Sequence, residues 1–108
     1  MRKLMDFKIL ALCLGALSTA SVSAAGDAAA GHAKAFACMG CHGVPSYTNV
    51  YPTYHVPKLG GQHAQYLVTA LTEYKNGQRS HTTMHAQAAS LSEQDIEDIA
   101  AYFEAAKD

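Results

Sequence analysis

From Gln62 to Asn76, the residues Tyr66, Leu67, Ala70, Leu71 and Tyr74 recur three or four places apart, the spacing of one helix face. Asn76 and Gly77 follow as a stop, because glycine takes the left-handed turn that ends a helix at no steric cost. A second stripe, Ile96, Ile99, Ala100 and Phe103, predicts a terminal helix with one buried seam. Ser92 stands as its N-cap with Asp95 three residues on, a variant capping box, and Leu91 and Ile96 form a hydrophobic staple. Glu93, Asp95, Glu97 and Asp98 fill its early turns, where negative charge suits the helix dipole. An alanine-rich run from Ala28 to Ala37, capped by Asp27, predicts a first helix that continues into the residues after it. Gly31 weakens that helix slightly, and Phe36 reads as core.

Between Gly43 and Gly61 the pattern breaks. Pro45, Pro52 and Pro57, with Gly60 and Gly61, exclude a long helix or a central strand, so the segment reads as an ordered loop carrying Tyr47, Tyr51 and Tyr54. A polar stretch from Gln78 to Thr83 ends at Met84, which reads as lying in the loop between the last two helices. No alternating run predicts a strand. The fold class is therefore all-α, with three principal helices and a short extra turn near Ala86–Ser90.

The amino-terminal segment changes how much of the 108-residue chain these helices must organise. Arg2, Lys3 and Lys8 precede an apolar stretch from Ile9 to Leu17, and Val22-Ser23-Ala24 or Ser23-Ala24-Ala25 fits the small-x-small cleavage rule. Residues 1–25 read as a secretory signal and 26–108 as one domain, with a retained membrane anchor as the alternative. Cys13 lies in the apolar stretch and leaves with the signal. The remaining 83 residues make a small core that benefits from an added staple. They carry five Lys and Arg against eight acidic residues, a balance of −3, and no basic patch that suggests nucleic acid.

The chemistry sits at Cys38-Met39-Gly40-Cys41-His42, a C-x-x-C-H sequence that attaches a c-type haem. Two thiols three residues apart on a helical turn point to one side, placed to form thioethers with one porphyrin. His42 then brings an imidazole nitrogen to the iron. The rival readings are weaker. No strand precedes Cys38 as a thioredoxin-like pair requires, and a zinc set would have to be assembled from Cys38, Cys41, His81 and His85. For the iron's sixth position, Met39 lies between the cysteines on the wrong side, which leaves Met84, in the loop between the second and last helices and far enough along the chain to return over the distal face, as the first choice. His81 and His85 flank it and keep a bis-histidine iron open; His32, His55 and His63 read as surface or hydrogen-bonded residues. A backbone carbonyl in Val56-Pro57 is a candidate partner for the other nitrogen of His42, and Tyr51, Tyr54 and Arg79 for the haem propionates.

These residues together resemble the class I c-type cytochromes, in particular the small bacterial periplasmic monohaem members and one half of the dihaem c-four kind. The resemblance rests on Cys38-Met39-Gly40-Cys41-His42-Gly43, Pro57-Lys58-Leu59-Gly60-Gly61-Gln62, Tyr66-Leu67, Met84, Leu91-Ser92-Glu93-Gln94-Asp95-Ile96 and Ala101-Tyr102-Phe103. It implies a cytochrome c-like fold around one covalent haem c, with first and last helices packed together. It also implies His42 and Met84 as axial ligands and Pro57 as the proline supporting His42. Two departures stand out: His85-Ala86 occupy a place where members often carry proline, and a single C-x-x-C-H means one haem in this chain.

The function this implies is periplasmic electron transfer rather than enzymatic catalysis. Donors and acceptors would be a membrane quinol-oxidising complex, an oxidase or reductase, or a dehydrogenase, with nucleic acid excluded and any membrane contact transient. The lysine ring that such carriers use toward acidic partners is thin here, which favours an acidic or apolar docking face. The alternatives are a haem subunit of a larger oxidoreductase and a haem sensor with an open sixth site.

Overall fold

A computed structural model describes residues 25–107. The export segment therefore falls outside the described residues, apart from Ala25. Seven elements follow in order: α1 (Ala28–Lys34), α2 (Phe36–His42), β1 (Thr48–Val50), β2 (Thr53–His55), α3 (Ala64–Asn76), α4 (Thr82–Ala88) and α5 (Glu93–Ala105). Among the described residues no helix is long and apolar enough to cross a membrane.

The first helix is two helices rather than one. Asp27 caps α1 as expected, its carboxylate accepting from the Ala29 and Ala30 N–H groups. At Ala35 the backbone turns (φ −78°, ψ 0°) and its N–H reaches back to Gly31 and Ala33. Ala35 is fully buried there, on the same helix face as Gly31 four residues earlier. Phe36 is one step around from that face and is 84% exposed, so the expectation that it packs inward is wrong.

The predicted loop from Gly43 to Gly61 contains a short antiparallel hairpin. Thr48 pairs with His55, Asn49 with Tyr54 and Val50 with Thr53. Tyr51 and Pro52 make the turn, where proline's missing N–H costs no ladder bond. Three-residue strands are too short to show an alternating pattern. The rest of the segment is tied to the body: Val56 donates its N–H to Tyr47, and Gly61 to the Phe103 carbonyl at 2.8 Å. Gly61 has φ +78°, a conformation that side chains rarely adopt.

Helices α3 and α5 end and begin as their sequences dictate. Gly77 (φ +76°) closes α3, its N–H meeting the Glu73 and Tyr74 carbonyls. The Ser92–Asp95 capping box is complete, with both hydrogen bonds at 3.0 Å. The start of α3 is held from a distance: the Glu104 carboxylate on α5 accepts from the Ala64 N–H at 2.9 Å. Met84 lies in the first turn of α4, a helix where the sequence reads as loop.

The core joins Ala35, Leu67, Ile99, Ala100 and Phe103. Helix α1 packs most extensively on α5, as the family resemblance implies. Gly31 and Gly26 let the backbones close up: a Cβ on either would stand 1.9 Å from a carbonyl oxygen of α5. At that crossing, Asp98 is 3% exposed. It accepts from Lys34 Nζ at 2.6 Å, the Asp27 N–H at 2.8 Å and Gln94 at 2.8 Å. These donors hold its carboxyl down at about 2, Lys34 contributing most. Asp95, 2.9 Å from Lys34, is likewise lowered to about 2, by Lys34 first and then Ser92.

Candidate functional site

A cavity of about 320 Å³ opens between α2, the hairpin's exit, α3 and α4, with Ile99 and Phe103 of α5 at its floor. That volume lies in the range of small-molecule and cofactor pockets, about 300–1,000 Å³. Cys38, Cys41 and His42 form one wall and Met84 lies on another, while Leu67, Ala70 and Leu71 make the α3 side apolar. Cys38 and Cys41 are unpaired thiols three residues apart on α2. Burial pushes the Cys38 thiol up, so it keeps its proton. Cys41 is exposed at the rim.

His42 Nδ1 lies 2.7 Å from the Pro57 carbonyl oxygen. A carbonyl can only accept, so Nδ1 carries the proton and donates, which leaves Nε2 with its lone pair. The Val56-Pro57 carbonyl expected from sequence is thus the one at Pro57. The orienting arrangement is the one that metal-binding histidines use, with one nitrogen pinned and the other available.

The flanking histidines have structural partners. His81 is the N-cap of α4, its Nδ1 accepting from the Met84 N–H at 3.3 Å. His85 Nδ1 donates to the Tyr74 carbonyl at 2.7 Å, fastening α4 to α3. His55 lines the cavity and bonds Thr48 through Nδ1 at 3.1 Å. His32 meets the Tyr102 ring in a tilted contact, 5.3 Å between centroids. Among the described residues no group of three or more His, Cys, Asp or Glu is positioned to hold a metal ion, so the zinc set is not assembled.

Arg79 lines the cavity mouth. It donates to the Tyr66 hydroxyl at 3.4–3.5 Å, which chiefly raises its already high pKa, and lies 5.0 Å over the Tyr74 ring. Tyr54 also lines the cavity and donates to Thr83 at 3.2 Å. Tyr51 is not brought there. It is 94% exposed at the hairpin turn and does not line the cavity, since the turn carries it away from the body.

Sequence reasoning missed three contributors. Glu104 caps a helix that precedes it by forty residues, which no local pattern reveals. His81 is a histidine at a position where Ser, Thr, Asp or Asn is the usual cap, so the start of α4 carries no cap signal. Tyr74 acts partly through its main-chain carbonyl, which any residue would supply.

The donor set fits a haem: two free thiols on one wall, an imidazole with an available nitrogen beside them, a thioether on another wall and an apolar interior. Compared with known families, residues 27–107 match the one described as cytochrome c. The chain belongs to the cytochrome c family. Its cofactor is accordingly a covalently attached haem c, and Cys38 and Cys41 fit the attachment motif. Over 107 residues it is 42% identical to cytochrome c4 of Pseudomonas aeruginosa, covering 99% of this chain and 50% of that protein. Over 82 residues it is 44% identical to cytochrome c-554(548) of Halomonas halodenitrificans, covering 73% of this chain and 95% of that protein. The cytochrome subunit of sulfide dehydrogenase of Chlorobaculum tepidum is 33% identical over 73 residues, 68% of this chain and 63% of that one. The chain spans about half the length of the cytochrome c4 relatives it matches.

Proposed function

We propose that this cytochrome c is a periplasmic one-electron carrier, with Cys38 and Cys41 bonded to the haem and His42 and Met84 as axial ligands. Residues 1–25 serve as the export signal and 26–108 as the working domain. The single observation that carries the reading is the disposition of His42. Its Nδ1–H is spent on Pro57 at 2.7 Å, and it shares with Met84 a cavity whose α3 side is apolar.

The haem supplies a reversible one-electron couple when bound. The protein's residues do the rest. Pro57 fixes the imidazole's tautomer and direction, and makes it a better donor. Leu67, Ala70, Leu71 and Phe103 exclude water, which makes charge at the site harder to solvate. Arg79, which lines the cavity, offers guanidinium donors for carboxylates. A thioether ligand raises the reduction potential relative to a second imidazole.

Electron carriers need small, transient docking surfaces. Phe36 (84% exposed) and Met39 on α2, with Val44 just beyond, present apolar side chains next to the attachment motif. Met39 and Val44 line one surface groove of about 250 Å³. This supports an apolar docking face for a quinol-oxidising complex or dehydrogenase as donor and an oxidase or reductase as acceptor. The likeness to a sulfide dehydrogenase's cytochrome subunit favours a second reading, a haem subunit of a larger oxidoreductase. A stoichiometric partner on purification from the native host supports that reading; purification as a lone chain supports the free carrier.

The test of electron transfer is a redox titration of the haem-loaded protein with its visible spectrum recorded throughout. One reversible one-electron wave between two low-spin spectra is expected. A high-spin spectrum in both states, with immediate binding of carbon monoxide on reduction, overturns the carrier reading in favour of a ligand sensor.

A further inference from the structure

We propose that His81 is a positioning residue for Met84: it caps the helix that carries the methionine, and two tyrosines from other elements hold its ring in place. The inference rests on Met84 as sixth ligand.

Helix α4 has seven residues, too few to persist by its own propensity. Its first turn has to be imposed from outside, and the Met84 N–H is one of the donors that no helical carbonyl can satisfy. His81 Nδ1 accepts that N–H, so the cap bonds the main chain of the ligand residue itself. Nδ1 must then be unprotonated, with the proton on Nε2.

An imidazole makes a useful cap only if its ring is fixed. Tyr54, from β2, meets the His81 ring edge-on at 4.7 Å between centroids, and Tyr74, from α3, does so at 6.2 Å. Tyr54 also donates through its hydroxyl to Thr83, within the same first turn. The hairpin and α3 therefore grip the start of α4 from two sides. Behind Met84, His85 is bonded to the Tyr74 carbonyl. Met84 is held at its own N–H and at the residue after it. His81 and His85, the rival ligands in the sequence, are here the residues that fix the methionine.

The experiment follows cyanide binding to the oxidised, haem-loaded protein by stopped flow. Cyanide must wait for the methionine to leave the iron, so its rate reports how firmly Met84 is held. Parallel readouts are the methionine–iron charge-transfer band at the red end of the oxidised spectrum and thermal unfolding by circular dichroism. Loss of a side-chain N-cap opens the helix start by about five-fold. His81→Ala and His81→Phe are therefore expected to bind cyanide about five-fold faster with the band retained at low temperature, and His81→Asn, which restores a capping oxygen, to return toward the wild-type rate.

Wild-type rates in both His81→Ala and His81→Phe overturn the proposal. A wild-type rate in His81→Phe alone also overturns it, since ring packing and not the cap would then be responsible. Absence of the band from the wild-type protein overturns the Met84 reading itself, which keeps the two failures apart.

Discussion

Gly31→Ala sets two opposing effects against each other. Alanine is the better helix former by about 1 kcal/mol, so propensity alone predicts a gain in stability. The structure predicts a loss. A Cβ at Gly31 would lie 1.9 Å from the Asp98 carbonyl oxygen, 2.6 Å from its carbon and 2.8 Å from Tyr102 Cβ. Ordinary contact begins at 3.4 Å, so α1 would have to retreat by about 1.5 Å. Backbone supplies the obstacle, so no side-chain rotation relieves it. The retreat would open the contact at Ala35 and Ala100, both fully buried, and stretch the Asp27 and Lys34 bonds to Asp98. Overpacking of this kind costs about 1–3 kcal/mol and occasionally more. A backbone clash belongs at or beyond the upper end, so after the propensity gain the net loss is about 2 kcal/mol. For a domain of this size that lowers Tm by about 8–16 °C. The assay is thermal unfolding of the haem-loaded protein by circular dichroism. Ala33→Gly, on the exposed face of the same helix, calibrates propensity and should lose about 1 kcal/mol. A Gly31→Ala protein as stable as wild type, or more so, refutes the close-packed crossing.

Further outcomes follow from other contacts. Asp95 and Asp98 have carboxyls near 2 in the folded chain against an ordinary 3.8, so they contribute stability above about pH 4 that is lost as pH falls toward 2. Acid unfolding midpoints should show this, and Asp98→Asn should flatten the curve in that window; an unchanged acid limb contradicts the assignment. Ser92→Ala removes half of the capping box and should cost about 1 kcal/mol, a Tm decrease of about 4–8 °C by calorimetry. Tyr51→Ala should leave the visible spectrum and reduction potential unchanged, because Tyr51 stands outside the cavity; a shift in either would place it at the haem after all.

The parts of this molecule legible in its sequence are those whose signal is local. The capping box at Ser92, the glycine stop at Gly77 and the two apolar stripes each lie within a few residues, and each matches the structure. Cys38, Cys41, His42 and Met84 share the lining of one cavity, with the Pro57 carbonyl behind His42. What escaped depends on phase or on distant partners. Phe36 lies one step around from the face that buries Gly31 and Ala35 and so stands outside, an effect that composition does not carry. The hairpin was hidden because three-residue strands have no readable period. Gly31 reads as a weak point in a helix, whereas the structure makes it the residue that admits α5. Helix α4 reads as loop because its cap is a histidine steadied by tyrosines twenty-seven and seven residues away.

The central claim is a closed, six-coordinate iron with His42 and Met84 as its ligands. The absorption spectrum of the oxidised, haem-loaded protein tests it most directly, recorded for wild type, Met84→Ala, His81→Ala and His85→Ala. The account predicts the methionine–iron charge-transfer band in the wild type, its retention in both histidine variants and its loss in Met84→Ala. A wild-type spectrum without the band, or a band that survives in Met84→Ala, contradicts it.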